Sequence, residues 1–182
     1  MEQRWRLADF SALFLRLALA AGFLAAVADR FGLWGCNGQP QVGWGDFSHF
    51  IAYTERLTSI LPVSLGPTLA WAATVAEITL ALALLIGLFT RIAAFLSGVL
   101  LLVFAVAMTF GLGIKAPFDF SVYTASAAAF LLADYGGYKL SLDGWIGSRK
   151  RSSINKPPRL SRNKPPHSTA ISKMPSSSTQ KP

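Results

Sequence analysis

Charge is the scarcest commodity in this chain. Only 14% of its 182 residues are Asp, Glu, Lys or Arg, against about 25% in soluble domains, while 52% are hydrophobic. Because large apolar side chains are nearly missing after residue 147, the excess is concentrated before it and has to face lipid rather than water. Cysteine is almost absent too. Cys36 stands alone, which excludes an intrachain disulfide, a CxxC pair and a cysteine-based metal cluster; between Gly35 and Asn37 this thiol reads as incidental. The only histidines are His49 and His167, neither inside an apolar segment, so a haem gripped by two histidines within a bundle is excluded. No intrinsic metal or cofactor is expected. GxGxxG, Walker, HExxH and nucleophile-elbow motifs are also missing, which argues against a self-contained enzyme.

What is present is a series of long apolar runs. The first spans residues 7–28, enough at 1.5 Å per residue to cross a hydrocarbon core of about 30 Å. Arg4 and Arg6 before it and Ala26-Val27-Ala28 at its end resemble a signal peptide, but Arg16 within the run argues against cleavage. A second span is expected over residues 69–88, entered through Pro67, and a third over residues 92–110. Gly87 suits the end of one helix and Thr90 a cap for the next, so Gly87-Leu88-Phe89-Thr90-Arg91 reads as a tight turn between antiparallel helices. A fourth span is placed at residues 117–133, with Asp119 in its first turn; Tyr135, Tyr138 and Trp145 follow as interfacial anchors. The expected fold is therefore all-α: an integral membrane four-helix bundle. Ala18 with Gly22, Gly22 with Ala26, Ala72 with Ala76 and Ala125 with Ala129 offer small residues four apart for close helix contact.

Between the first two spans, Asp46 can cap an amphipathic helix running toward Leu61, with Phe47, Phe50, Ile51, Thr54, Leu57 and Ile60 near one face. It is expected to lie on the outer mouth of the bundle, with Trp34 and Trp44 at the same interface. Residues 1–146 thus read as a membrane domain and residues 147–182 as a disordered basic C-terminal tail, rich in Ser, Pro, Lys and Arg and repeating Asn-Lys-Pro-Pro at Asn155 and Asn163.

The net charge of +8 is uneven, since ten of seventeen Lys and Arg lie from Lys139 onward. It reads as an orientation signal rather than a nucleic-acid surface. With four spans, Arg4, Arg6, Arg91 and the tail cations share one side and Arg30, Arg56 and Lys115 the other, so the positive-inside rule puts both termini in the cytoplasm. The tail is a solvated topology element or a contact for anionic lipids.

Two charges sit at bilayer depth, Arg16 in the first span and Glu77 in the second, each costing at least about 2.5 kcal/mol unless compensated. They are expected to form an interior ion pair, acting as a register lock or as a polar site that binds a quinone head group or relays a proton. His49 and Tyr53, one turn apart at the outer interface, form a second candidate pair, against the simpler reading of two ordinary surface residues.

Arg16, the long outer loop, Glu77 and the turn Gly87-Leu88-Phe89-Thr90-Arg91-Ile92-Ala93-Ala94 together resemble the DoxX family of small bacterial membrane proteins over roughly residues 13–132. The resemblance implies four helices in a bacterial inner membrane and, for better-described members, a membrane subunit of a redox system such as thiosulfate:quinone oxidoreductase, or a partner of sulfur-handling and superoxide-detoxifying enzymes. Arg16, Glu77, Gly87, Thr90 and Arg91 carry over as family-like positions without a catalytic role. The expectation is a membrane subunit or anchor of a quinone-linked redox complex, with a bound quinone as its only cofactor and the redox centre on an oxidoreductase partner. The alternatives are a small transporter or channel component and a non-catalytic membrane scaffold. A homo-oligomer fits all three.

Overall fold

The computed structural model describes residues 7–135; the expected tail, Tyr138 and Trp145 lie outside them. The described chain is all-helical: α1 (Leu7–Arg30), α2 (Phe47–Leu57), a 3-10 turn (Val63–Leu65), α3 (Gly66–Ile86), α4 (Thr90–Leu112), the single turn α5 (Ala116–Asp119) and α6 (Val122–Tyr135). Three helical segments, Leu7–Arg30, Val63–Ile86 and Thr90–Leu112, are long and apolar enough to cross a membrane. The protein is a multi-pass membrane protein.

The helices run antiparallel in chain order, which gives the bundle two ends. At end A lie the start of α1, the α3–α4 turn and the end of α6, where the Tyr135 hydroxyl donates to Asp9 Oδ1 at 2.6 Å. End B carries the end of α1, α2, the start of α3 and the α4–α6 connection.

Alanine is what lets the helices meet. The core joins Leu19, Ala20 and Phe23 of α1 to Leu80, Ala81 and Leu84 of α3, Ala93 and Ala94 of α4, and Ala129, Leu132 and Ala133 of α6. Around it Phe14, Leu17, Val75, Leu82, Phe95, Leu102 and Val103 point outward, a belt that only lipid can cover. Hydroxyls near this apolar matrix bond to the preceding turn of their own helix: Thr74 donates to Ala70 O, Ser97 to Ala93 O and Thr109 to Ala105 O, each at 2.8 Å. Ser126 instead crosses to Gly98 O at 2.8 Å, stitching α6 to α4.

Four expectations need correction. The fourth expected span, 117–133, is not one helix: α5 stops at Asp119, Ser121 takes the left-handed conformation (φ 54°), and α6 begins at Val122. Its 14 described residues rise about 21 Å, short of a hydrocarbon core. The outer helix ends at Leu57, not near Leu61. Thr58 closes it, with both its N–H and its hydroxyl donating to Thr54 O, so Ile60 leaves the apolar face and stands 87% exposed. Thr90 is the first residue of α4 rather than its cap; the cap position is Phe89, itself left-handed at φ 47°. The turn is otherwise as expected: Gly87 adopts φ 73°, and its N–H and that of Leu88 both donate to Ala83 O, a glycine-terminated helix end.

Finally, most of the small-residue pairs face outward. Ala18, Gly22 and Ala72 are exposed, and a Cβ on Gly22 would meet nothing within 4 Å. The close approach happens at Gly111 of α4, where a Cβ would lie 2.6 Å from Leu57 Cα and 2.8 Å from Arg56 O. That contact is to backbone, which cannot swing away. Gly111→Ala should therefore lift α2 from the bundle and destabilise the protein by about 1–3 kcal/mol, whereas Gly22→Ala should leave stability unchanged or raise it by up to about 1 kcal/mol; thermal melts of both variants in one detergent check the contrast.

Candidate functional site

Glu77 sits about 16 Å along the axis from the start of α3, and its side chain is 2% exposed. Its partner is Arg30, the last residue of α1, not Arg16. Arg30 Nη2 donates to Glu77 Oε1 at 2.8 Å and Nη1 to Thr74 Oγ1 at 2.9 Å. Thr74 gives its own proton to Ala70 O, so its oxygen presents a lone pair to the guanidinium. Helix geometry explains the choice of arginine. Cβ atoms lean toward the helix N-terminus, so a side chain at the end of α1 folds back into the bundle. Arg16 is 14 residues and about 21 Å of rise away, too far to serve the same carboxylate. It is buried on α1 one turn from the core residues Leu19 and Ala20.

The guanidinium is roofed by aromatic rings. Its Cζ lies 3.7 Å from the Phe50 ring centroid and 5.3 Å from that of Trp44, where the ring faces attract a desolvated cation. Trp44 in turn meets Phe50 and Tyr53 edge-on, with centroids 5.0 and 5.6 Å apart. The neighbouring Asp29 fixes this roof, Oδ2 accepting from the backbone N–H of Gly43 (2.9 Å) and Trp44 (3.0 Å). A second aromatic seam, Phe31 on Phe47 (5.7 Å) and Phe47 on Trp71 (4.3 Å), holds the start of α2 to α3. Asp29 and Arg30 thus act in opposite directions, one gripping the loop and the other the bundle.

The expected pair of His49 and Tyr53 separates. His49 Nδ1 lies 2.7 Å from Asp46 Oδ2, both side chains half exposed, while Tyr53 turns inward onto Trp44, where burial pushes its phenol pKa up. Trp44, expected at the membrane interface, faces the cation instead. Trp34 does stay outside, 60% exposed, its indole N–H donating to Ala25 O. Of the turn residues, Gly87 and Thr90 are buried and structural, whereas Arg91 is exposed. Among the described residues no three His, Cys, Asp or Glu side chains gather as a metal would require.

Sequence reasoning missed Arg30, Thr74 and the roof. Arg30 lies just past the apolar run and so reads as a loop cation. The available signal is Thr74, three residues before Glu77 and so on the same helix face, a hydroxyl one turn from the deep acid.

The model of a protein family described as methylamine utilisation protein MauE matches residues 8–119. The chain belongs to the MauE family. This overturns the resemblance to DoxX: Arg16, Glu77 and the Gly87–Arg91 turn lie inside the MauE match, and an acid at mid-span with a glycine-closed helical turn is an arrangement that two families of small helical membrane proteins can share on physical grounds. The match covers α1 to α5, including every residue of the Arg30–Glu77 site. No curated protein and no solved structure matches this MauE-family chain.

Two tests follow from this geometry. Removing one partner of a buried pair leaves the other charge uncompensated, so Arg30→Ala or Glu77→Ala should each cost about 3–5 kcal/mol and the double variant much less than the sum; Arg16→Ala combined with Glu77→Ala should be additive in the same thermal melts. At the start of α2, Asp46 caps the helix by accepting from the His49 N–H (2.9 Å). That bond first, and the His49 ring second, hold its carboxyl below the usual carboxylate range. The stabilisation is therefore complete above that range and is lost as pH falls through the lowered value. Hydrogen exchange of α2 amides should be slower in the wild type than in Asp46→Ala at neutral pH, and the two should converge in strong acid.

Proposed function

We propose that this MauE-family protein is a membrane subunit or anchor of a redox system of the methylamine-utilisation kind, working beside the quinone pool of a bacterial inner membrane with the redox centre on a partner protein. The observation that carries the reading is the use to which the deeply buried Arg30–Glu77 ion pair is put. Arg30 and Glu77 tie the outer module, α2 and its loop, to end B of the bundle. Such a device presents a surface in a set orientation; α2 turns Ser48, His49, Ala52 and Arg56 outward toward a docking protein.

In this reading the stretch from α5 through α6 makes a fourth crossing, residues 1–146 form the membrane domain, and residues 147–182 a cytoplasmic tail, with both termini on that side and end B on the opposite one. In the same reading a quinone would be a bound ligand and the redox centre would sit on the partner. The transporter alternative is weakened by the filling of α1: Leu19, Ala20, Phe23 and Val27 are all buried between Arg16 and Arg30, so apolar packing interrupts the polar path that an ion or proton would follow.

Native mass spectrometry of the protein released in mild detergent tests the proposal. A companion carrying a redox centre is expected in the same spectrum, lost in an Arg56→Glu variant whose melting temperature is unchanged. The chain emerging alone, or only with copies of itself, from membranes whose other complexes survive would overturn it.

A further inference from the structure

At end A, away from the ion pair, α4 and α6 leave a cleft of about 420 Å³ lined by Arg91, Ile92, Phe95, Phe130, Ala133 and Asp134. Its construction is symmetrical. On α4, which leaves end A, Arg91 lies one turn nearer the end than Phe95; on α6, which approaches it, Asp134 lies one turn nearer than Phe130. Two opposite charges therefore stand at the mouth and two rings lie deeper, edge to face with centroids 5.6 Å apart. The Phe130 ring can lie this close to α4 because position 98 is glycine: a Cβ there would come within 2.8 Å of the ring. Arg91 and Asp134 are exposed, and no ion pair joins them among the described residues.

We propose that this cleft binds a zwitterionic phospholipid with a primary ammonium, of the phosphatidylethanolamine type. Arg91, which only donates, meets the phosphate; Asp134, which only accepts while ionised, meets the ammonium. An acyl chain runs over Phe95 and Phe130 into the lipid-facing belt, of which Ile92 and Phe95 are already part. The charge pattern discriminates among membrane components. An anionic head group satisfies Arg91 but is repelled by Asp134. A quinone carries no charge and leaves both unmatched. A choline head group has the right charges, yet its quaternary nitrogen has no N–H to give Asp134.

The test uses the full-length protein in nanodiscs of equal parts phosphatidylethanolamine, phosphatidylcholine and phosphatidylglycerol, with a trace of ubiquinone, and native mass spectrometry of what survives stepwise delipidation. The wild type should retain phosphatidylethanolamine about tenfold over phosphatidylcholine, the ratio expected of one charge-assisted hydrogen bond. Asp134→Asn should bring that ratio near one, and Arg91→Gln should lose both lipids. Both residues are exposed, so both variants should keep the wild-type melting temperature. Equal retention of the three lipids, an unchanged preference in Asp134→Asn, or retained quinone that disappears in both variants would each refute the assignment, the last giving the cleft to quinone.

Discussion

The price of burying Glu77 organises this molecule. A carboxylate 2% exposed inside an apolar helix is tolerable only beside a partner held as firmly as itself, and each neighbour answers that need. Arg30 folds back from the end of α1, Thr74 turns its hydroxyl so that the guanidinium finds a lone pair, and Phe50 and Trp44 close over the cation's faces. Asp29 then fixes the loop that carries Trp44. Remove the carboxylate, and the cation under the roof loses the partner that holds it there. The bundle proper needs no such device, because alanines and Ser126 give α4 and α6 a close, hydrogen-bonded seam.

The two ends are chemically unlike. End B is built from aromatic rings stacked around a neutralised charge, a rigid cap that holds an amphipathic helix across the bundle. End A has a three-residue turn, an acid bridged by a tyrosine, and a cleft whose charges do not meet. A protein serving as an anchor has use for both: a firm face toward a partner and a grip on the surrounding lipid.

How much could be read in advance follows from which forces act locally. The apolar runs gave away the three long helices, because span length depends on composition alone; the Gly87 turn and the Asp46 cap were legible because both are short-range hydrogen-bond patterns. The break at Ser121 was not, since nothing in Phe120-Ser121-Val122 forbids a helix and only tertiary packing selects the left-handed residue. Glu77 was recognisable as the deep charge needing compensation, but its partner was misassigned: counting spans places Arg16 inside and Arg30 outside, whereas partner choice depends on the vertical register of two helices and on the direction a terminal side chain leans. The kinship suggested by Arg16, Glu77 and the turn failed for a related reason, since these features answer general demands of packing helices in lipid and mark no single lineage.

The turn between α3 and α4 also bears on how the protein enters the membrane. With only Gly87, Leu88 and Phe89 between them, a turn this short favours entry of α3 and α4 as one hairpin. α1 is under no such constraint, being made earlier and joined by a long loop, and its deep-facing Arg30 has no carboxylate to meet until that hairpin arrives. Until then the arginine can remain in the head-group layer with its loop still open. Arg30's carboxylate and hydroxyl partners and the ring beneath Phe47 all belong to α3, so the outer module is complete only with that helix in place.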